Sequence, residues 1–213
     1  MLFRSRSLWL PAGWHPWVNA MAGVAVLGAA IGFGLRTDEL GLERREVGRG
    51  LRYGFAALGL VAAVLVLAAV IPATRGALRD DRADVGFGEM VRTTLIVIPL
   101  GTAFLEEIVF RGVLLAVCAR RMTVWRAAWA SSVVFGLWHI APTISSARTN
   151  ATTDTISAVG LAALVVGMVL AMTGAGMVFS WLRIRSRSLV APFVLHAGVN
   201  ATAFALAWVV VRG

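Results

Sequence analysis

Long uncharged apolar runs alternate with short arginine-rich stretches along the whole chain. A membrane-spanning helix needs about 20 predominantly apolar residues, and these runs approach that length. They predict six spanning helices, give or take one. The predicted spans are 18–35, 53–74, 93–119, 124–140, 157–182 and 189–211. The predicted fold class is therefore all-α: a polytopic transmembrane helical bundle of about six spanning helices, with any active site inside the membrane.

Composition excludes a soluble enzyme. The 213 residues are 59% hydrophobic and only 15% charged, with a mean hydropathy of +0.80, whereas soluble domains average about 25% charged residues. The net charge of +9 comes from 20 basic residues, all of them arginine. Because these arginines cluster between the apolar runs, they favour a lipid bilayer as the partner and no nucleic acid. The apolar runs predict an integral, multi-pass membrane protein. The lack of Lys beside abundant Ala, Gly and Val is typical of a GC-rich genome, so we expect a bacterial plasma membrane.

Polar and ionisable side chains at membrane depth are concentrated in the third, fourth and sixth runs. A charged group costs roughly 2.5–3.5 kcal/mol at the centre of a spanning helix, so each marks a candidate site. Their positions divide the chain into an N-terminal two-helix membrane region, 1–92, and a membrane core, 93–213, that holds all of them. At 1.5 Å of rise per residue, the side chains fall within a slab about 10 Å thick and can meet in one cavity. The candidates are Glu106, Glu107, Arg111, His139, His196 and Asn200.

Two pairs among these residues lie four positions apart on one helical face. Glu107 and Arg111 have the acid-first order that favours an ion pair, and a structural and a chemical role are both open. Glu106 points roughly 100° away from Glu107, and a carboxyl without that partner can act as a general base. His196 and Asn200 place two donors side by side, either as polar contacts between helices or as an oxyanion site.

The candidates also form three ordered motifs, each on a predicted spanning helix. In sequence order these are Glu106-Glu107-x-x-x-Arg111, Phe135-x-x-x-His139 and His196-x-x-x-Asn200. Together they resemble the motifs of the CPBP family of intramembrane proteases, which includes type II CAAX prenyl endopeptidases and bacteriocin-processing and immunity proteins. The resemblance covers 93–202, about half of the chain. Each motif alone is a weak signal, and their order on hydrophobic helices is what makes the resemblance specific.

The resemblance implies a role for each motif. It implies that Glu106 and His139 activate a water molecule, and that Glu107 and Arg111 support the site. The third motif is expected to stabilise the oxyanion that forms when the water attacks. No candidate position departs from the family pattern, so the resemblance implies an active hydrolase.

Two expectations for a cofactor follow from the same resemblance. The favoured mechanism requires none. Members of the family are often described as metalloproteases, so a divalent metal such as zinc is the alternative, with Glu106, His139 and His196 as its ligands. Against a metal, the chain lacks an H-E-x-x-H motif, and these ligands come from three separate helices.

The function predicted from the sequence is an intramembrane endopeptidase. It would hydrolyse a peptide bond of a membrane-embedded or lipid-anchored protein or peptide, through a water activated by Glu106 and His139 and an oxyanion site of His196 and Asn200. Two other classes stay open: a non-catalytic membrane partner such as an immunity protein, and a proton-coupled transporter. Transport is the weaker of the two, since the six runs show no internal inverted repeat.

Overall fold

The computed structural model describes residues 13–149 and 156–212, and within these ranges the chain is helical, with no strand. Short 3₁₀ turns lie at Arg44–Glu46, Gly76–Leu78 and Asp81–Ala83. The helices are α1 His15–Gly32, α2 Thr37–Leu40, α3 Val47–Val70, α4 Pro72–Arg75, α5 Phe87–Ala119, α6 Val124–Trp138, α7 Ile140–Thr149, α8 Ala158–Ser186 and α9 Val190–Arg212. Residues 1–12 of the predicted N-terminal region lie outside the described ranges.

Five helical segments in the described ranges are long and apolar enough to cross a membrane. They are Thr37–Val70, Phe87–Ala119, Val124–Ala147, Ala158–Ser186 and Val190–Arg212. The predicted all-α, polytopic helical bundle is thereby confirmed, with five candidate spanning helices in the described ranges where about six were predicted. The first predicted span does form a helix, α1, of 18 residues. Its first two turns, which hold His15, Pro16 and Asn19, are less apolar and set it apart from the other five.

Helix ends differ from the predicted ends because an apolar run reports membrane depth and not helix length. The predicted span 53–74 is a helix that already begins at Val47, and it includes Arg49 and Arg52. It ends at Val70, two residues before Pro72. Ile71 has the extended backbone (φ −76°, ψ 119°) that a following proline favours.

Small residues let α3 approach α9, the helix that carries the third motif. α3 packs more extensively on α9 than on any other helix. A Cβ atom added at Gly54 would lie 2.8 Å from the Val194 Cβ atom, and one at Gly50 would lie 2.6 Å from the Ser188 Oγ atom. Side chains are thus excluded at both positions, and the close contact fixes the register of α9.

The arginine-rich end of the bundle is tied to the short helix α2. Arg183 Nη2, at the end of α8, donates to the Glu39 carbonyl oxygen at 2.7 Å, and Arg120 Nε, at the end of α5, donates to the Glu39 carboxylate at 2.7 Å. Gly41 terminates α2 with a left-handed φ of 74°. Its carbonyl oxygen accepts from the Leu189 amide at 2.8 Å, just before α9. These contacts join the ends of α5, α8 and α9.

Helix α5 contains three π-helical segments, Thr93–Val97, Pro99–Ala103 and Ile108–Leu114. One turn of regular α-helix, Phe104–Glu107, lies between the second and the third. π-helical turns are rare and are frequent at functional sites. In this chain they flank the glutamate pair of the first motif.

Candidate active site

A buried carboxylate joins α5 to α9 at the centre of the candidate site. The Glu107 atom Oε1 accepts a hydrogen bond from Arg111 Nη1 at 3.0 Å and another from His196 Nδ1 at 2.7 Å. Glu107, Arg111 and His196 are 1%, 0% and 5% exposed. Buried charges of this kind must be paired. The ion pair that the spacing of Glu107 and Arg111 predicted is present, and it extends across the helix interface to His196.

The contact with Glu107 fixes the orientation of the His196 ring. An ionised carboxylate only accepts hydrogen bonds, so Nδ1 carries the proton that is donated to Glu107. The other ring nitrogen, Nε2, lies 3.8 Å from the Glu106 atom Oε2. The hydrogen bond of one ring nitrogen sets the role of the other. His196 is therefore held with Nε2 toward Glu106.

Glu106 has a buried oxygen without a partner. Its side chain is 12% exposed, and its Oε2 atom has no hydrogen bond to any residue in the described ranges. The 3.8 Å to His196 is beyond hydrogen-bonding distance. Glu106 is close enough to both His139 and His196 to interact with them electrostatically. This carboxylate is therefore available to take a proton from a reacting group.

His139 lies at the break between α6 and α7. Its backbone has φ −83° and ψ −2°, a sparsely populated region in which many active-site residues lie. Its Nδ1 atom lies 2.8 Å from the Phe135 carbonyl oxygen. Because a carbonyl oxygen only accepts, Nδ1 is the donor, and Nε2 of the neutral ring is left as a proton acceptor.

Two phenylalanines enclose the buried cation and the two imidazoles. The Arg111 guanidinium carbon lies 4.0 Å from the Phe135 ring centroid and 4.9 Å from that of Phe179, within the range of cation–π attraction. His196 stacks on Phe179 at 5.0 Å and an interplanar angle of 16°. His139 lies edge-on to Phe135 at 4.7 Å. Phe135 thus contacts the residues of all three motifs, since its ring is also 6.0 Å from that of His196.

Asn200 stands apart from this network. It lies one helical turn beyond His196 on α9, as its spacing predicted, and it is half-buried. No hydrogen bond joins its side chain to another residue of the described ranges. The structure therefore brings Glu106, Glu107, Arg111 and His196 together. Phe135 connects His139 to this group. Among the described residues, the Asn200 amide contacts none of them by a hydrogen bond.

Comparison with known families decides the assignment. The family profile of Rce1-like type II CAAX prenyl endopeptidases matches residues 89–202 of the chain. The protein belongs to this family. All six candidate residues lie inside the matched region, and the resemblance drawn from the three motifs is confirmed. Searches among curated proteins and among solved structures gave no match.

Membership in the CAAX prenyl endopeptidase family makes the protein a membrane-embedded protease in the general sense. Sequence reasoning missed the aromatic residues that shape its site. Phe135 enters the sequence analysis only as the first residue of the second motif. Phe179 lies in the apolar part of α8, a helix that carries no motif, and an aromatic residue in an apolar span gives no signal of its own.

The donor set of this endopeptidase does not fit a metal ion in the described part of the chain. In the ranges that the structure describes, no group of three or more His, Cys, Asp or Glu side chains has a geometry that could hold one. The predicted ligands Glu106, His139 and His196 do not form such a group. We therefore derive no step of the reaction through a metal.

Proposed function

We propose that the protein is an intramembrane endopeptidase that hydrolyses a peptide bond through a water molecule activated by Glu106 and His139. The observation that carries the proposal is the Glu106 Oε2 atom, which is buried, lacks a partner among the described residues and lies 3.8 Å from Nε2 of His196. A general base must be within reach of the proton that it removes and free to accept it. The unpartnered Oε2 atom supports the second condition for Glu106.

The proposed reaction balances without a covalent enzyme intermediate. Glu106, assisted by Nε2 of His139, takes a proton from water, and the hydroxide attacks the carbonyl carbon of the scissile bond. The carbonyl oxygen becomes an oxyanion. When the carbon–nitrogen bond breaks, the proton held by Glu106 passes to the leaving amine. The products are a carboxylic acid and an amine, and Glu106 returns to its starting state.

His196 and Asn200 are proposed to stabilise the oxyanion. Protonated on both ring nitrogens, His196 donates from Nδ1 to Glu107 and from Nε2 to the oxyanion. The Asn200 amide, which has no hydrogen bond to another described residue, would add a second donor from the next turn of α9. Donors that are already oriented before the reaction are the effective form of such stabilisation. Glu107 and Arg111 would hold His196 in that orientation.

Substrate, architecture and location form the remaining parts of the proposal. The substrate is a membrane-embedded or lipid-anchored protein or peptide, since the site lies on spanning helices. Residues 93–213 form the catalytic core, which holds all six candidate residues, and residues 1–92 form an N-terminal membrane region. We place the protein in a bacterial plasma membrane on its lysine-free, alanine-rich composition.

The experiment that tests this function compares protein termini by mass spectrometry. Membranes from cells that express the wild type are compared with membranes that hold the Glu106→Ala variant at a matched level. We expect new termini with the wild type alone, and these name the substrates and the cleavage sites. Identical termini, together with a variant that still complements a knockout, would assign the protein to non-catalytic membrane partners.

Metal removal gives an independent prediction. The proposed mechanism activates water with Glu106 and His139, so we expect activity to be unchanged after incubation with ortho-phenanthroline. The matched control is the meta isomer, which does not chelate. Loss of activity with the chelating isomer alone, followed by recovery on adding zinc, would contradict the prediction and make Glu106, His139 and His196 zinc ligands.

A further inference from the structure

The two π-helical segments that flank the glutamate pair are each contacted by a polar side chain of a neighbouring helix. The segments are Pro99–Ala103 and Ile108–Leu114, with Glu106 and Glu107 on the regular turn between them. A helix turns by about 100° per residue. A change from π to α geometry on either side would therefore rotate the glutamates relative to α6 and α9.

Ser131, on α6, contacts the segment that follows the glutamates. Its hydroxyl donates to the Phe110 carbonyl oxygen at 2.7 Å, and the residue is 0% exposed. The same carbonyl accepts the Leu115 amide, five residues ahead, which is the bond that defines π geometry. A carbonyl oxygen has two lone pairs, so both donors are accommodated. If this segment became α-helical, the carbonyl would move and the buried hydroxyl of Ser131 would lose its partner.

Asn19, on α1, contacts the segment that precedes the glutamates. Its Nδ2 atom donates to the Gly101 carbonyl oxygen at 2.6 Å. Gly101 allows this approach because a Cβ atom there would lie 3.1 Å from the His15 ring, one turn before Asn19. The polar side chains at the start of α1, His15 and Asn19, thus face α5 and not lipid.

We propose that Ser131 and Asn19 are positioning residues, which hold the two π-helical segments of α5 in register and thereby fix the direction of Glu106 and Glu107. The proposal rests on the proposed function, since its consequence for catalysis depends on Glu106 as the base. Ser131 acts from α6, and His139 directly follows the last residue of the same helix. The same helix therefore sets the position of both groups that activate the water.

The test measures catalysis and backbone exchange together in full-length protein purified in detergent. The variants are Ser131→Ala and Asn19→Leu. Ser132→Ala is the matched control, because Ser132 is on the same helix, is also 0% exposed and faces the Ser180 hydroxyl. We expect Ser131→Ala and Asn19→Leu each to lower kcat by about 10- to 100-fold, the effect of a small misplacement of reacting groups, with KM changed by less than about twofold.

Hydrogen–deuterium exchange locates the cause of that loss. Ser131→Ala is expected to speed amide exchange in 108–114, and Asn19→Leu in 99–103, while Ser132→Ala changes neither kcat nor exchange. Wild-type kcat and exchange in both variants would overturn the proposal, as would faster exchange spread evenly over all helices. If Ser131→Ala does not fold, Asn19→Leu alone decides. If Glu106→Gln keeps full activity, the proposed function has failed, whatever these variants do.

Discussion

Replacing Glu106 by Gln is expected to lower kcat by about 10²- to 10⁴-fold, the range that a general base contributes. Glutamine keeps the size of the side chain and cannot accept the proton. Folding should be unaffected, because Oε2 of Glu106 has no hydrogen bond among the described residues to lose. The measurement is cleavage, by purified protein, of a peptide that reproduces a site found by terminal mass spectrometry.

Glu89→Gln is the matched control for Glu106→Gln. Glu89 is a glutamate of the same helix, α5, but its side chain is 44% exposed and pairs with Arg92 at 2.7 Å. Exposed pairs contribute little, so this variant should keep wild-type kcat and thermal midpoint. Equal activities of Glu106→Gln and Glu89→Gln would remove Glu106 from the mechanism and leave the family assignment intact.

The spanning helices could be predicted because the bilayer imposes a simple rule on sequence. An apolar run of the right length has few alternatives to a helix, and five such helices are present in the described ranges. What an apolar run does not report is the helix end. Charged residues such as Arg49 continue a helix beyond the bilayer, and a proline such as Pro72 ends it, so local chemistry and not hydropathy decides the boundary.

Part of the site could be predicted and part could not, for a geometric reason. The Glu107–Arg111 pair follows from a spacing within one helix and is present at 3.0 Å. The shorter contact of Glu107, to His196 on α9, joins residues 89 positions apart. No pattern within one helix encodes it. The sequence therefore predicted that Glu107 and Arg111 neutralise each other and did not predict that they orient His196.

The π-helical segments of α5 could not be predicted either. Periodicity analysis assumes 3.6 residues per turn, and a π segment looks like any other apolar stretch. In the sequence, Ser131 and Asn19 are then ordinary polar residues within predicted spans. Only the structure shows that their side chains end on carbonyl oxygens of those segments, at 2.7 Å and 2.6 Å.

The second large effect is expected for Arg111. Arg111→Met removes the guanidinium that lies between Phe135 and Phe179 and leaves the Glu107 carboxylate, 1% exposed, without its arginine. Breaking a buried ion pair in this way costs about 3–5 kcal/mol. By the usual scaling for chains of this size, the thermal midpoint should fall by roughly 6–20 °C. The measurement is thermal unfolding in detergent, followed by tryptophan fluorescence.

Arg92→Met provides the comparison, because the Arg92–Glu89 pair on the same helix is exposed, at 43% and 44%. Its loss should cost at most about 1 kcal/mol. The double variant Glu107→Met/Arg111→Met should recover part of the stability lost in Arg111→Met, since it buries no uncompensated carboxylate. It should nevertheless stay inactive, because His196 then lacks the acceptor that orients it. If Arg111→Met unfolds at the wild-type temperature, His196 alone neutralises Glu107, and Arg111 is not needed for the fold.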